Sequence, residues 1–485
     1  MSLGMPNGNS RNLPNPNPLP SLEPVVIPLL EFAKSYLNLD HSRFYTPGHK
    51  GGQGLAQVWQ EVLPNFRAVG RLDLPELTGF TEALAEAEHL LASAYHCDRS
   101  YFLANGSTEG VQTALLTVAG AGDLVLVGRN CHRSTIGGLI LTGAMPIYLP
   151  CEWDRSWQID LGVSPATVAD YLQKFPAVKA VILVSPNYFG AVSDISAMAD
   201  LCHDRAIPLI IDSAHGSHLG FHPDLPPSPI ACGADLVIQS HHKTLTALCQ
   251  GAVLHCQGNL IDRVRVAQAV RTLQSTSPNF LILLSLDIAR HQMQDEAGRA
   301  LEQLGKLVRQ LQARSPLRWF VPPVYDWTRI TVSSGQITGF QADTLLTKHM
   351  GVVCEMPTLR HLVFSLSLAS REQDLQKLEQ AFHYMSTNWH QADPTPLLEL
   401  WLDTPELVVS PRQAFFAPKE LVPIEQAVDR VSADTLCPYP PGIPVIAMGE
   451  RISPPAITYL QTIHGLGGVI NGASDPQLQY LAVLK

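Results

Sequence analysis

Two residues of opposite charge follow neighbouring predicted strands in the middle of the chain. Asp212 ends the apolar run 207–212, and Lys243 follows the run 235–239 about one strand–helix unit later. In an open parallel sheet, ligands gather beyond the carboxyl ends of the strands, so both side chains are expected at that edge. A carboxylate at the end of a buried strand is costly unless a cation pairs with it. The pair is a candidate for chemistry that places an amine and a carboxylate around one ligand.

A short polar turn, Gly106-Ser107-Thr108, follows the first predicted strand and opens a helix. Gly106 lets the backbone turn closely, while Ser107 and Thr108 put hydroxyl groups beside the free N–H groups of a positive helix end. This arrangement can cradle a phosphate, although the segment lacks a lysine and the Walker pattern. Taken alone, Ser107 is as well explained as a simple helix N-cap.

His132 follows the second predicted strand and completes the set. A lone loop histidine is commonly a surface or hydrogen-bonding residue, but a ring here could lie flat against an aromatic cofactor. Together with Asp212, Lys243 and the Gly-Ser-Thr turn, it describes a pocket for pyridoxal 5'-phosphate (PLP). Lys243 would bond to the cofactor aldehyde, Asp212 would hold the pyridine nitrogen protonated, the turn would take the phosphate, and His132 would stack on the ring.

The elements that must position these residues alternate between strand and helix from about residue 80. Seven near-continuous apolar strands separated by helices predict a mainly parallel sheet covered on both faces, an α/β fold. The predicted strands are 100–104, 123–128, 145–149, 178–184, 207–212, 235–239 and 252–255. The predicted helices between them are 82–95, 109–118, 134–142, 165–175 and 195–204.

The rest of the chain predicts an arm and two further domains. A Pro- and Asn-rich arm over 1–24 cannot form a core, and a PLP-binding large domain follows over 25–300. A long amphipathic helix over 286–311 would lead out of it. A smaller α+β domain would span 301–393, and a C-terminal domain with the Pro-rich passage 437–444 would span 394–485.

Composition narrows the function classes. The 485 residues carry a net charge of −10, which disfavours wrapping nucleic acid or coating an anionic membrane. The apolar runs are too short for a membrane span, and no signal pattern opens the chain, so a cytoplasmic protein is expected. The nine cysteines show no Cys-x-x-Cys pair and no zinc spacing, so buried free thiols and no metal site are expected.

At these residues the sequence resembles the fold-type I PLP enzymes, and more narrowly the bacterial Orn/Lys/Arg decarboxylase family. The likeness extends from about residue 25 to the C-terminus and is closest to the short, biosynthetic type typified by the arginine decarboxylases of Bacillus-like bacteria. The passages that carry it are 44–50 (FYTPGHK), 106–108 (GST), 129–134 (RNCHRS), 186–190 (PNYFG), 212–216 (DSAHG), 221–226 (FHPDLP), 240–243 (SHHK), 275–278 (STSP), 410–415 (SPRQAF), and 439–444 (YPPGIP) with 449–450.

The resemblance implies further roles. Ser240 and His242 would join Ser107 and Thr108 at the phosphate, and His215 would flank the ring near Asp212. Thr276, within Ser275-Thr-Ser277, would reach the phosphate of a neighbouring subunit, which implies a homodimer or a higher homo-oligomer with shared active sites. Glu450 would face the distal cation of a basic amino-acid substrate, although a solvated loop carboxylate remains the alternative there.

The expected function is decarboxylation of a basic amino acid to its amine and CO2 in polyamine biosynthesis, with arginine favoured and lysine or ornithine also possible. The proton delivered to the substrate Cα could come from Lys243 or from a nearby histidine. Another fold-type I reaction, aminotransfer or aldol cleavage, would share Asp212 and Lys243 but leaves Glu450 and the Pro-rich passage unexplained. A non-catalytic regulator would be expected to have lost the lysine or the aspartate, and both are present.

Overall fold

The computed structural model describes residues 26–37, 79–388, 405–439 and 442–485. The predicted arm 1–24, the motif 44–50 and part of the Pro-rich passage lie outside these residues. Within the described part, no helix combines the length and the apolar character that crossing a membrane requires. The domain boundaries stay predictions, while the elements they contain can be compared directly with the sequence patterns.

A seven-stranded sheet forms the centre of the large domain, in the order β1-β9-β8-β7-β6-β2-β3. The five strands from β8 to β3 are parallel, whereas β9 runs antiparallel to both β1 and β8. The mainly parallel α/β sheet predicted from the apolar runs is therefore confirmed. The seven strands are β1 Arg99–Leu103, β2 Leu124–Gly128, β3 Met145–Leu149, β6 Ala180–Val184, β7 Leu209–Asp212, β8 Leu236–Gln239 and β9 Ala252–Cys256. A small antiparallel hairpin, β4 Glu152–Asp154 with β5 Ile159–Gly162, was not predicted.

Helices cover both faces of this sheet because their apolar sides pack on strands that are largely buried. They are α1 Pro28–Leu37, α2 Phe80–Tyr95, α3 Gly106–Val118, α4 Arg133–Thr142, α5 Pro165–Lys174, α6 Ile195–His203, α7 His241–Thr244 and α8 Arg263–Leu273. The single helix expected over 286–311 is wrong. The chain forms α9 Phe280–Asp295 and α10 Ala297–Arg314, with Glu296 between them.

The smaller α+β part packs its own core around a three-stranded sheet, in the order β10-β12-β11. Its elements are β10 Arg329–Ser333, α11 Gly339–Met350, β11 Met356–Pro357, β12 His361–Ser365 and α12 Glu372–Asn388. The last part of the chain has a separate core. It contains α13 Pro411–Phe416, β13 Lys419–Pro423, a 3-10 turn at Ile424–Gln426, β14 Cys437–Tyr439, α14 Pro454–Gly465, β15 Val469–Asn471 and β16 Tyr480–Leu484.

Candidate active site

The predicted pair lies at one edge of the large sheet. Strands β7 and β8 are parallel neighbours, and Asp212, the last residue of β7, is aligned with Ile238 of β8. Lys243 follows at once in the one-turn helix α7, so its amine and the Asp212 carboxylate share the carboxyl edge. The Asp212 side chain is buried and accepts a hydrogen bond from the Ala214 N–H at 3.2 Å. The sheet register thus brings together two residues that are far apart in the sequence.

The charges of these two groups act on each other. Burial raises the pKa of Asp212, and the Lys243 ammonium opposes that shift. Burial likewise lowers the pKa of Lys243, and the Asp212 carboxylate opposes it. Among the residues that the structure describes, no direct hydrogen bond joins Asp212 to Lys243, and the carboxylate has one backbone donor. An N–H group from a ligand would therefore find an acceptor at Asp212.

Three side chains surround the Lys243 amine. Its Nζ lies 3.3 Å from His215 Nε2 and 5.7 Å from the centre of the Tyr188 ring. The Tyr188 and His215 rings contact each other, with centres 4.3 Å apart. On the other side of the imidazole, Arg329 Nη2 contacts His215 Nδ1. The lysine is thus enclosed by two rings and a buried guanidinium.

The Gly-Ser-Thr turn contacts the segment that carries the lysine. Gly106 has φ +78°, and a Cβ added there would meet only the Gln250 carbonyl oxygen, at 3.9 Å. The Ser107 and Ser240 hydroxyl oxygens are 2.6 Å apart, which places both serines at the start of α3. Thr108 is exposed beside them. Hydroxyl groups and a helix N-terminus next to open space suit a phosphate.

Two histidines flank this region with defined ring contacts. His132 Nδ1 accepts the Ser134 N–H at 3.2 Å, so the side chain caps helix α4. Burial, followed by the charges of Lys243 and Arg133, lowers the pKa of His132 to about 4. His132 is therefore a neutral ring at pH 7, as stacking on a cationic pyridine requires. His242 Nδ1 lies 2.9 Å from the Gly251 carbonyl oxygen, which orients that imidazole.

In the described part of this single chain, Thr276 and Glu450 form no hydrogen bond or ion pair with the residues around Lys243. Thr276 is exposed in the loop between α8 and α9, and its reach into a neighbouring subunit stays a prediction. Glu450 is fully buried, so the alternative of a solvated loop carboxylate is wrong. Its Oε1 and Oε2 accept hydrogen bonds from Arg129 at 2.8 and 3.0 Å, and Oε2 also accepts one from Ala447 N at 2.6 Å. A substrate cation would have to displace Arg129, because both carboxylate oxygens are already paired.

Sequence reasoning missed the contribution of the smaller domain. Arg329 is buried against His215, and Glu355 is an exposed carboxylate whose charge raises the pKa of both Lys243 and Arg329. Neither residue sits at the end of a predicted strand of the large sheet, so no local pattern singles them out. Tyr188, in contrast, lies within the quoted motif 186–190 and could have been proposed from it.

The residues present suit a PLP molecule. A buried carboxylate with unused acceptor capacity, a half-buried amine, a neutral ring and a pair of hydroxyls at a helix N-terminus are the contacts that a pyridine nitrogen, an aldehyde, a ring face and a phosphate need. A possible metal-ligand group elsewhere, His222, Asp224 and Glu302, shares no residue with this set. Its two acids already pair with Arg309 and Lys306.

Two family models match the chain. The model of the Orn/Lys/Arg decarboxylase major domain matches residues 27–350, and that of the C-terminal domain matches residues 397–481. Together they include the phosphate turn, Asp212, Lys243, Arg329 and Glu450, whereas Glu355 lies between the two matched ranges. The first alone matches more than half of the chain.

Curated relatives and solved structures agree with these matches. The chain is 30% identical over 472 residues to an arginine decarboxylase of Bacillus anthracis, covering 92% of this chain and 96% of that protein. It is 28% identical over 478 residues to an arginine decarboxylase of Bacillus subtilis, covering 94% and 98%. A lysine decarboxylase structure from Francisella novicida superposes with a TM-score of 0.80 at 20% identity, covering 95% of this chain and 82% of that one. The chain belongs to the Orn/Lys/Arg decarboxylase family, whose members are PLP-dependent amino-acid decarboxylases.

Proposed function

We propose that this protein binds PLP between Asp212 and Lys243 and decarboxylates a basic amino acid, with arginine as the preferred substrate. The observation that carries the proposal is the meeting of these two charged groups at the carboxyl edge of β7 and β8 in a chain of this family. When bound, the cofactor supplies an electron-poor ring that takes up the electron pair left behind when CO2 departs. The protein must hold that ring, orient the substrate and exclude water.

Asp212 would hold the ring nitrogen in its protonated state. The carboxylate is buried, and its pKa is raised because burial outweighs the Lys243 charge. A cationic N–H would restore the charge compensation that burial removes, so the acid and the ring would stabilise each other. Lys243 would supply the amine that attaches the cofactor aldehyde.

The remaining cofactor contacts would come from the turn and the two flanking histidines. Gly106, Ser107, Thr108, Ser240 and His242 would bind the phosphate, and Thr276 would contribute from a second copy of the chain. His132 and His215 would flank the ring. Both imidazoles have lowered pKa values and therefore stay uncharged. A homodimer with shared sites follows from the proposed role of Thr276.

Glu355 is the acid best placed to receive the distal cation of the substrate. Its carboxylate is exposed, acts electrostatically on Lys243 and Arg329, and makes no ion pair within the described part of the chain. Glu450, in contrast, is paired with Arg129 through both oxygens. A charge-assisted hydrogen bond to Glu355 would favour substrates with a cationic side chain over neutral amino acids. The preference for arginine is supported by the two arginine decarboxylases among the relatives.

The proposal is tested by offering arginine, lysine and ornithine in competition to the purified full-length protein with PLP. We expect CO2 and the three corresponding amines, with the arginine product in excess. Keto acids without CO2 would indicate aminotransfer, and no turnover of any of the three would contradict the proposal. We further propose that the amine serves polyamine biosynthesis in the cytoplasm.

A further inference from the structure

A buried arginine of the smaller domain contacts the proposed cofactor lysine through one imidazole. Arg329, the first residue of β10, is 2% exposed. Its Nη2 contacts His215 Nδ1, while His215 Nε2 lies 3.3 Å from Lys243 Nζ. The three groups form a row of hydrogen-bonding nitrogens that runs from the smaller domain to the carboxyl edge of the large sheet.

The chemistry of these nitrogens fixes where the protons lie. A guanidinium only donates, so His215 Nδ1 must be the acceptor in its contact with Arg329. A neutral imidazole then carries its hydrogen on Nε2, the atom that faces Lys243. Because Nε2–H donates, Lys243 Nζ must accept, and an amine accepts only when it is uncharged. The row therefore admits one pattern of protons, with a neutral lysine at its end.

We propose that Arg329 is a positioning residue that holds His215 in its Nε2-protonated tautomer and thereby keeps the Lys243 amine neutral and ready to bond to the cofactor aldehyde. The inference rests on the PLP-dependent function proposed above, because it assigns a task to Lys243 as the attachment residue. Nothing in the motifs around Lys243 indicates a role for Arg329, which lies in a different domain. Arg329 Nε and Nη1 are buried without a hydrogen-bond partner, so among the described residues no carboxylate bonds to them, and Asp326 and Glu355 act on this guanidinium only through their charges.

Some groups around Lys243 raise its pKa and others lower it. Asp212 and Glu355 raise the pKa of Lys243, while burial, which is the largest effect, and Arg329 lower it. His215 itself stays neutral because burial, which is the largest effect, and the nearby charge of Arg329 lower its pKa. An ammonium on Nζ would meet the Nε2–H group donor to donor. Lys243 therefore gives up a proton more readily than an ordinary lysine.

The test measures how fast the cofactor-free full-length protein attaches added PLP as pH is varied, by following the absorbance of the bound cofactor. Only the neutral amine reacts, so the midpoint of the rate profile reports the ionisation of Lys243. We expect Arg329→Met, which removes both the charge and the donor to His215 Nδ1, to move that midpoint up by about 1 unit and to slow attachment at neutral pH about tenfold. Arg329→Leu should give the same shift if the methionine variant does not fold. Arg329→Lys keeps a donor-only cation and should leave the midpoint in place, as should the exposed control Arg318→Gln.

A second comparison separates this relay from the direct repulsion between two cations. In the His215→Phe background the hydrogen-bond link is gone, so replacing Arg329 by Met should shift the midpoint by less than half of the amount seen with His215 present. A shift of half or more in that background would overturn the proposal, as would an unmoved midpoint in both single Arg329 variants. If the wild-type protein never attaches PLP, the proposed function fails instead, so the two failures are distinguishable.

Discussion

At the scale of single residues, the proposed function depends on charged side chains that are buried away from water. Burial is the largest influence on the pKa values of Asp212, Lys243 and Glu450, and the charge of a partner residue is the second largest. The same burial separates their tasks. Asp212 retains acceptor capacity for a ligand, whereas both oxygens of Glu450 are satisfied by Arg129. A carboxylate that looks suited to substrate in the sequence can therefore be structural.

Removal of the attachment amine should abolish function. We expect Lys243→Ala to lose the absorbance of covalently bound cofactor and at least about 1,000-fold in kcat, since no other amine can replace it at that position. The control Lys306→Ala, an exposed lysine paired with Glu302, should retain both properties. Wild-type CO2 release from Lys243→Ala would contradict the assignment.

Charge recognition at Glu355 gives a second expectation. Glu355→Gln should raise KM for arginine about 10- to 100-fold, the cost of losing a charge-assisted hydrogen bond, with a smaller change in kcat. The exposed Glu372→Gln on α12 is the matched control and should leave KM unaltered. An equal KM for Glu355→Gln and wild type would exclude Glu355 from the substrate site and return attention to Glu450.

The buried Glu88 on α2 predicts a pH dependence of stability. Burial raises its pKa from 4.5 to about 7, against the Phe102 N–H and Arg99, which lower it. A raised folded-state pKa stabilises the protein below the unfolded pKa, and this contribution is lost as pH rises through the folded value. Relative to Glu88→Gln, the wild type should lose about 3 kcal/mol of stability between about pH 4.5 and pH 8.

Melting temperatures at these two pH values, compared between wild type and Glu88→Gln, measure this difference. Other titrating groups cancel because they are common to both proteins. Glu86→Gln changes an exposed residue on the same helix, and its melting temperature should change with pH as that of the wild type does. If the melting temperature of Glu88→Gln also changed with pH as that of the wild type does, Glu88 would not titrate differently in the folded chain.

At the scale of elements, the carboxyl ends of the strands position the residues of the candidate site. All seven strands of the large sheet could be predicted because apolar runs of that length, separated by helical stretches, leave little choice of fold. The same register brings Asp212 to the segment that carries Lys243. Arg329 and Glu355 could not be predicted, since their approach depends on how the smaller domain packs. The break at Glu296 was also missed, because amphipathic periodicity continues on both sides of it.

The turn at Gly106 gives an expectation at this scale. Its φ of +78° strains any other residue, and Gly122, at φ +82°, is a matched glycine with open space around it. Alanine at either position should cost about 1 kcal/mol of stability. Only Gly106→Ala should also weaken PLP affinity, measured by equilibrium titration, because its Cβ would enter the space beside Ser107. Equal affinities in the two variants would remove the turn from the phosphate site.

At the scale of the whole molecule, a buried ion pair connects the C-terminal part to the large domain. Arg129, directly after β2, pairs with Glu450 and donates to the Val445 carbonyl at 3.0 Å. Breaking such a pair from one side leaves a charge without its partner in a dry interior. His132 follows Arg129 by three residues, so the same contact steadies the loop that carries the candidate ring-stacking residue.

Loss of this pair should destabilise the fold strongly. We expect Glu450→Gln to cost about 3–5 kcal/mol and to lower the melting temperature. The control Glu406→Gln removes an exposed pair with Arg451 and should cost about 0–1 kcal/mol. A Glu450→Gln protein that melts like the wild type but has a raised KM would instead support the substrate-binding role.

The order of Arg129, Lys243 and Glu450 along the chain has a consequence for biosynthesis. A ribosome completes the sheet and the lysine-bearing segment long before it reaches the carboxylate that pairs with Arg129. Until then the nascent polypeptide carries a guanidinium that waits for this counterion beside a forming cofactor cleft. Maturation of the cleft should therefore finish only after Glu450 has been synthesised, and a polypeptide that stops between Lys243 and Glu450 should lack this counterion.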